Sequence, residues 1–133
     1  MSNEKETKKS KMIYGRYMHE IENGTVVIPW LENKIFDLPL YYTILEASER
    51  KYISVHENEF QDSEELTPIE NCLCQLDENN KWILPKSVLD IVGNESVVWL
   101  GLGNRAELTT EKILNENSVD IEELKQILLN LRF

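Results

Sequence analysis

Cysteine is nearly absent from this chain: two residues, Cys72 and Cys74, in 133. Two apart on an alternating stretch, they fall side by side on one face of a predicted strand, where their Cβ directions do not suit a disulfide. With no third cysteine to pair with, a disulfide-stapled scaffold is excluded and a reducing, cytoplasmic setting is expected. No run approaches the roughly 20 consecutive apolar residues of a membrane helix, and the N-terminus lacks an apolar signal core, so a soluble, untargeted protein without membrane contact is expected. Cations are scarce too, with 14 Lys and Arg against 24 Asp and Glu, a net charge of −10. Phosphate binding draws its affinity from clustered Lys and Arg, so this balance speaks against a broad nucleic-acid surface. Only five glycines are present; Gly101-Leu102-Gly103-Asn104 continues wrongly for a dinucleotide fingerprint and lies between strands. No Ser or Cys nucleophile sits in a recognisable motif, and no enzyme is predicted. His19, His56, Cys72 and Cys74 are zinc-ligand types, but their one close pair is Cys-x-Cys rather than the paired spacing of a structural site. No metal or other cofactor is predicted.

What the chain does contain is a phrase written twice: Ile21-Glu22-Asn23-Gly24-Thr25-Val26-Val27-Ile28-Pro29 and Leu76-Asp77-Glu78-Asn79-Asn80-Lys81-Trp82-Ile83-Leu84-Pro85. Each runs from an apolar residue through an acid and a turn-forming Asn or Gly to three apolar residues and a proline. That is a strand, a tight turn, a second strand and a stop. Ahead of it, Tyr17-Met18-His19-Glu20 matches Cys72-Leu73-Cys74-Gln75; behind it, Leu40 to Leu45 matches Ser96 to Gly101. An apolar-periodic stretch lies between, Trp30 to Phe36 and Lys86 to Val92, and the second reads as a short helix stopped by Gly93. Two copies are too few for a solenoid and are expected to close on each other. Trp30, Trp82 and Trp99 fall within or beside apolar runs and are assigned to the core.

The organisation predicted is a basic, disordered tail over 1–11, a first repeat over 12–60, an acidic linker over 61–70, a second repeat over 71–114, and a C-terminal helix over 115–133. In the tail, four lysines against two glutamates give +2, leaving −12 for the rest of the chain. In the last segment Asp120 can cap a helix with Glu123 three residues on, and Ile121, Leu124, Ile127, Leu128 and Leu131 recur at helical spacing. That stripe packs on its own domain or serves as a subunit contact.

The opening Gly15-Arg16-Tyr17-Met18-His19-Glu20-Ile21-Glu22 resembles the Gly-x-Tyr-x-His-x-Leu-Asp start of MraZ, a regulator associated with bacterial cell-division and cell-wall gene clusters. The second phrase is similar to that family's Leu-Asp-x-x-Gly-Arg followed by apolar residues and Pro. Val97-Val98-Trp99-Leu100-Gly101-Leu102-Gly103-Asn104-Arg105-Ala106-Glu107-Leu108 resembles its strand, Gly-x-x-Asn-Arg turn and Glu-bearing strand. The ordered set spans residues 13 to 114. The resemblance implies an α+β, mainly β fold in which two swapped-hairpin AbrB-like repeats form a compact barrel, followed by a helix. It also implies a divergent member that self-associates into a ring or dimer and binds DNA as a transcriptional regulator, at the nucleoid of a bacterial cytoplasm.

In the family the turn's Gly-Arg pair is offered to DNA, since Gly permits the sharp turn and Arg forks onto phosphate or guanine. The positions matching it here are Gly24 and Thr25 in the first copy and Asn80 and Lys81 in the second. Thr25 has no charge, and Lys81 keeps the charge without the fork. Positions where the family carries a further arginine are Asn33 and Leu89, and the linker holds Asp62, Glu64, Glu65 and Glu70. Arg16 and Lys86 complete the DNA-contact candidates. Arg105, and Arg50 with Lys51, read as solvated hairpin charges. These departures all remove positive charge, and they keep open an alternative: a degenerate AbrB-fold protein whose acidic surface binds protein partners.

Overall fold

The computed structural model describes residues 12–47, 49–58 and 68–116. Eleven elements follow in order: β1 (Ile13–Glu20), β2 (Thr25–Val26), α1 (Pro29–Glu32), β3 (Tyr41–Ala47), β4 (Arg50–His56), β5 (Glu70–Leu73), β6 (Trp82–Ile83), α2 (Lys86–Val92), β7 (Ser96–Gly103), β8 (Ala106–Thr109) and α3 (Glu111–Glu116). The chain is therefore mainly β with short helices. The predicted 1–11 tail and the stripe Ile121, Leu124, Ile127, Leu128 and Leu131 lie outside the described residues.

Six strands form one antiparallel sheet in the order β1-β7-β8-β4-β3-β5, and β2 pairs with β6 in a separate two-stranded ribbon. Numbering each strand four higher or lower reverses that order onto itself. β1 lies against β7 and β5 against β3, so each half of the chain lends its first strand to the other half's sheet. The sheet is not closed: β1 and β5 are its edges.

The prolines that end the ribbon strands also open the helices. Pro29 occupies the first turn of α1, where its missing N–H costs nothing, and Pro85 stands at the cap of α2. Gly93 ends α2 at φ 81, its N–H donating to the Leu89 carbonyl at 2.7 Å, which is the predicted stop. The matching stretch of the first half holds only the four residues of α1 before turning at Asn33 and Lys34.

The core lies between the ribbon, the helices and one sheet face. Trp30, Trp82 and Trp99 are all buried in it, as the sequence predicts. Their rings meet edge-on or tilted at 6.2 Å, Trp30 against Trp99 and Trp82 against Trp99. Burying a tryptophan removes about 150–250 Å² from water, or about 4–6 kcal/mol each before entropy is set against it. Both indole N–H groups that reach backbone do so across the sequence: Trp99 Nε1 donates to Val27 O at 2.9 Å and Trp30 Nε1 to Tyr14 O at 3.3 Å.

The opposite sheet face corrects one expectation. Arg105, read as a solvated hairpin charge, is fully buried. It belongs to a buried polar group with Thr43, Ser54, His56, Glu107 and Thr109. Alternation assigns these side chains to the second face, but period two says nothing about whether that face meets water.

Candidate nucleic-acid interface

The ribbon holds four of the six candidate DNA contacts. In the first turn Glu22 and Thr25 exchange backbone hydrogen bonds of 2.9 and 3.0 Å across Asn23 (φ 53) and Gly24 (φ 77). Two consecutive left-handed residues make this a type I′ hairpin, the geometry that Asn-Gly favours. The Thr25 hydroxyl donates to the Glu22 carbonyl at 2.8 Å, so it is committed to the turn.

The second turn is longer. Asp77 N–H donates to Lys81 O at 2.9 Å and Asn80 N–H to Asp77 O at 3.0 Å. The Asp77 carboxylate accepts from the N–H groups of Asn79 and Lys81 at 2.8 and 3.0 Å. Asn80 sits at φ 61, where a glycine would be unstrained and asparagine is among the few residues that tolerate it. Asp77 therefore serves as the turn's internal acceptor, and Asn80 does the backbone work expected of the family's glycine.

Register places the turns at opposite ends of the ribbon. Thr25 faces Ile83, Val26 faces Trp82, and Leu84 N–H donates to Gly24 O at 2.9 Å. The ribbon is so short that Lys81 Nζ reaches Glu22 Oε1 of the other turn at 3.9 Å. Lys86, at the start of α2, holds Asp90 at 3.0 Å. Arg16 stands apart, exposed on edge strand β1 opposite Leu100. The structure thus gathers Gly24, Thr25, Asn80 and Lys81 and leaves Arg16 and Lys86 on other elements. Exposed ion pairs such as Lys81–Glu22 contribute little, and a phosphate could replace the carboxylate. The surrounding charge is negative nonetheless, with Glu22, Asp77 and Glu78 in the same two turns.

Beside the second turn lies an open cleft of about 540 Å³, with Ile28, Leu31 and Phe36 below and Lys34, Asp37 and Lys81 around it.

The buried polar group was invisible to motif reading. Thr43, Ser54 and Glu107 lie in register across β3, β4 and β8. His56 Nδ1 contacts the Asn58 carbonyl, which can only accept, so Nδ1 carries the hydrogen; Nε2 lies 2.8 Å from the Thr43 hydroxyl, which is also 3.2 Å from Asn71 Oδ1. Burial holds the His56 imidazole down to about 4, the Asn58 hydrogen bond opposing and the Arg105 charge adding to the effect. Burial raises the Glu107 carboxyl to about 8, with Arg105 opposing. Burial lowers Arg105 to about 10, with Glu107 opposing. Glu107 Oε1 and Ser54 Oγ have no hydrogen-bond partner among the described residues. A serine, a histidine and a glutamate share this face, but His56 Nε2 bonds Thr43, and all three are sealed from solvent. The signal that marks the group is a pair of polar residues two apart inside each of two apolar hairpin strands, Ser54 with His56 in β4 and Glu107 with Thr109 in β8, with Arg105 just ahead of the second.

The remaining ligand types are scattered. His19 is on β1 and Cys72 on β5, at opposite sheet edges. His56 is buried on β4, and Cys74 is buried beyond β5, its thiol pushed up by burial and then by neighbouring Cys72. No helix among the described residues is long and apolar enough to cross a membrane. No protein-family model matches the chain, and no curated protein matches it.

Proposed function

We propose that this chain is a divergent MraZ-like regulator: two AbrB-like swapped-hairpin repeats in one polypeptide, closing into a barrel-like unit that binds DNA as a cytoplasmic homo-oligomer, with no enzymatic role. The observation that carries the reading is the ribbon. Two exposed turns of matching position, one through Gly24 and one through Asn80, flank a two-stranded crossing of the halves. The self-reversing strand order supports the duplication, since exchange of β1 and β5 between halves is what swapped hairpins produce. A single Lys81 per chain contributes little alone, and an oligomer on repeated DNA boxes sums such contacts.

One observation favours a second reading. Lys81 and Lys86, the two lysines among the DNA-contact candidates, each face a carboxylate, Glu22 and Asp90, on a chain of net −10. On this reading the acidic surface engages a protein partner. Electrophoretic shift of the DNA upstream of the protein's own gene separates the two. Binding that weakens steeply with salt and falls in Lys81→Ala supports the regulator. No shift at low salt overturns it in favour of the protein-binding alternative.

A further inference from the structure

We propose that the cleft beside the second ribbon turn binds a free amino acid with an apolar side chain, and that its occupation withdraws Lys81 from DNA. The coupling to DNA rests on the regulator reading; the site itself does not. A cleft of about 540 Å³ is of the size that takes small ligands, and this one sets an apolar floor under a few polar groups, as such sites do. Ile28, Leu31 and Phe36 form the floor, and Leu38, 51% exposed, extends it toward solvent. The cleft follows from a difference between the halves. α1 stops after four residues where α2 runs for seven, and the chain turns at Lys34 (φ 66). From Lys34 to Leu38 it then passes along the cleft it shares with Asn80 and Lys81.

Charge selects the occupant. Lys34 and Lys81 stand on this cleft with Glu32 and Asp37, two charges of each sign over an apolar floor. A simple anion meets the carboxylates as well as the lysines, a simple cation does the reverse, and an uncharged apolar molecule covers all four without pairing any. A zwitterion with an apolar side chain suits both signs and the floor. Asp37 is already engaged within the chain, and Lys81 is held by Glu22 only at 3.9 Å. Glu32 and Lys34, by contrast, hold no side-chain ion pair or hydrogen bond among the described residues. The ligand's ammonium is therefore assigned to Glu32 and its carboxylate to Lys34 and Lys81. A carboxylate on Lys81 competes with phosphate for the same charge.

Backbone amide NMR on the full chain, titrated with leucine and with phenylalanine, tests the site. Saturable shifts are expected at Leu31, Lys34, Leu38, Asn80 and Lys81, with a dissociation constant of about a millimolar or below. Leucinamide, which lacks the carboxylate, and N-acetyl-leucine, which lacks the ammonium, each bind about fivefold more weakly. Lys34→Gln weakens leucine by a similar factor and leaves leucinamide unchanged, whereas Glu32→Gln weakens leucine and leaves N-acetyl-leucine unchanged. Both positions are exposed, so neither variant moves the melting curve. Lys51→Gln, at an exposed lysine of β4, leaves every titration as it is in the wild type. Absence of saturable shifts with both amino acids overturns the site, and so does leucine binding that either cleft variant leaves intact. Electrophoretic shift of the upstream DNA tests the coupling: the saturating amino acid weakens it in the wild type and much less in Lys34→Gln. A DNA shift unchanged at saturation overturns the coupling while the site stands. A wild type that shifts no DNA overturns the regulator reading, and the amide titration still decides the site.

Discussion

The two halves of the chain agree in their strands and differ in their turns. β1 and β5, β2 and β6, β3 and β7, β4 and β8 occupy equivalent places in a strand order that reverses onto itself. The connections do not match. The first ribbon turn needs two left-handed residues and the second one. The first helix has four residues and the second seven. Strands are held by burial from both halves at once, so a change in one must suit the other. Turns answer only to their own backbone and to solvent, and they are free to diverge in length and charge. The recognisable fold and the altered charge therefore come from different parts of the same repeated phrase.

The strongest way to break this comparison is to ask whether the halves melt separately. Trp30 belongs to the first half and Trp82 and Trp99 to the second, yet their rings touch. We expect Trp30→Ala and Trp99→Ala each to cost about 3–5 kcal/mol and to lower one common transition, followed by fluorescence and by circular dichroism in denaturant. Two transitions in the Trp30 variant would mean that each half carries its own core.

Glycines sharpen the contrast between strand and turn. A Cβ on Gly101, in β7, would lie 2.6 Å from the Tyr14 backbone of β1. Backbone cannot swing aside as a side chain can, so Gly101→Ala is expected to cost about 3 kcal/mol and to loosen β1. Gly24 has open space around it and only its φ of 77 to object, so Gly24→Ala is expected to cost about 1 kcal/mol. Equal losses in chemical melts would show that the strand contact between halves is no tighter than a turn.

How far the sequence reveals the fold follows the same division. Apolar runs ending in Pro29 and Pro85, the Asn23-Gly24 turn and the Gly93 stop each carry a local physical signature, and the structure has an element at every one. The tryptophans were readable as core because their neighbours in the chain are apolar. Arg105 was not readable: Gly103-Asn104-Arg105 does make a turn, but which sheet face is covered depends on distant segments. Of the candidate interface, the left-handed Asn80 was legible from residue type. The Lys81–Glu22 pair was not, because it joins turns 59 positions apart through a register no local pattern encodes.

The buried polar face differs from the apolar face in its response to pH. Glu107, raised to about 8, binds its proton more tightly folded than unfolded, so its contribution is full below about 4.5 and is lost as pH climbs to 8. His56, lowered to about 4, does the opposite, and its contribution is lost as pH falls from 6.5 to 4. Between 4.5 and 6.5 the two slopes oppose each other. Stability should therefore hold near a plateau there and decline from 6.5 to 8 by as much as about 1.4 kcal/mol per pH unit. Glu107→Gln should flatten that decline in denaturant titrations across pH. A decline unchanged in the variant would assign it to another group.

The smallest expected effect on stability bears most directly on function. Asn80→Gly relieves a left-handed backbone and Lys81→Arg adds a fork, together restoring the Gly-Arg pair of the family that the chain resembles, with melting expected to stay within about 1 kcal/mol of wild type. Thr25→Arg adds the missing charge to the first turn at the cost of one hydroxyl bond to Glu22. If the ribbon faces DNA, each added arginine should tighten binding. Thr25→Arg, which adds a cation, should steepen the dependence of log affinity on log salt by about one, and Lys81→Arg, which replaces one, should leave that slope nearly unchanged. The affinity gain of Lys81→Arg is the diagnostic, because attraction that followed net charge alone would leave this charge-neutral variant at wild-type affinity. A charge-neutral gain from Lys81→Arg requires the side chain to meet phosphate or base edge directly. Were neither variant to alter binding, the ribbon would be a structural crossing of the two halves, and the acidic turns Glu22, Asp77 and Glu78 would belong to a protein-binding face.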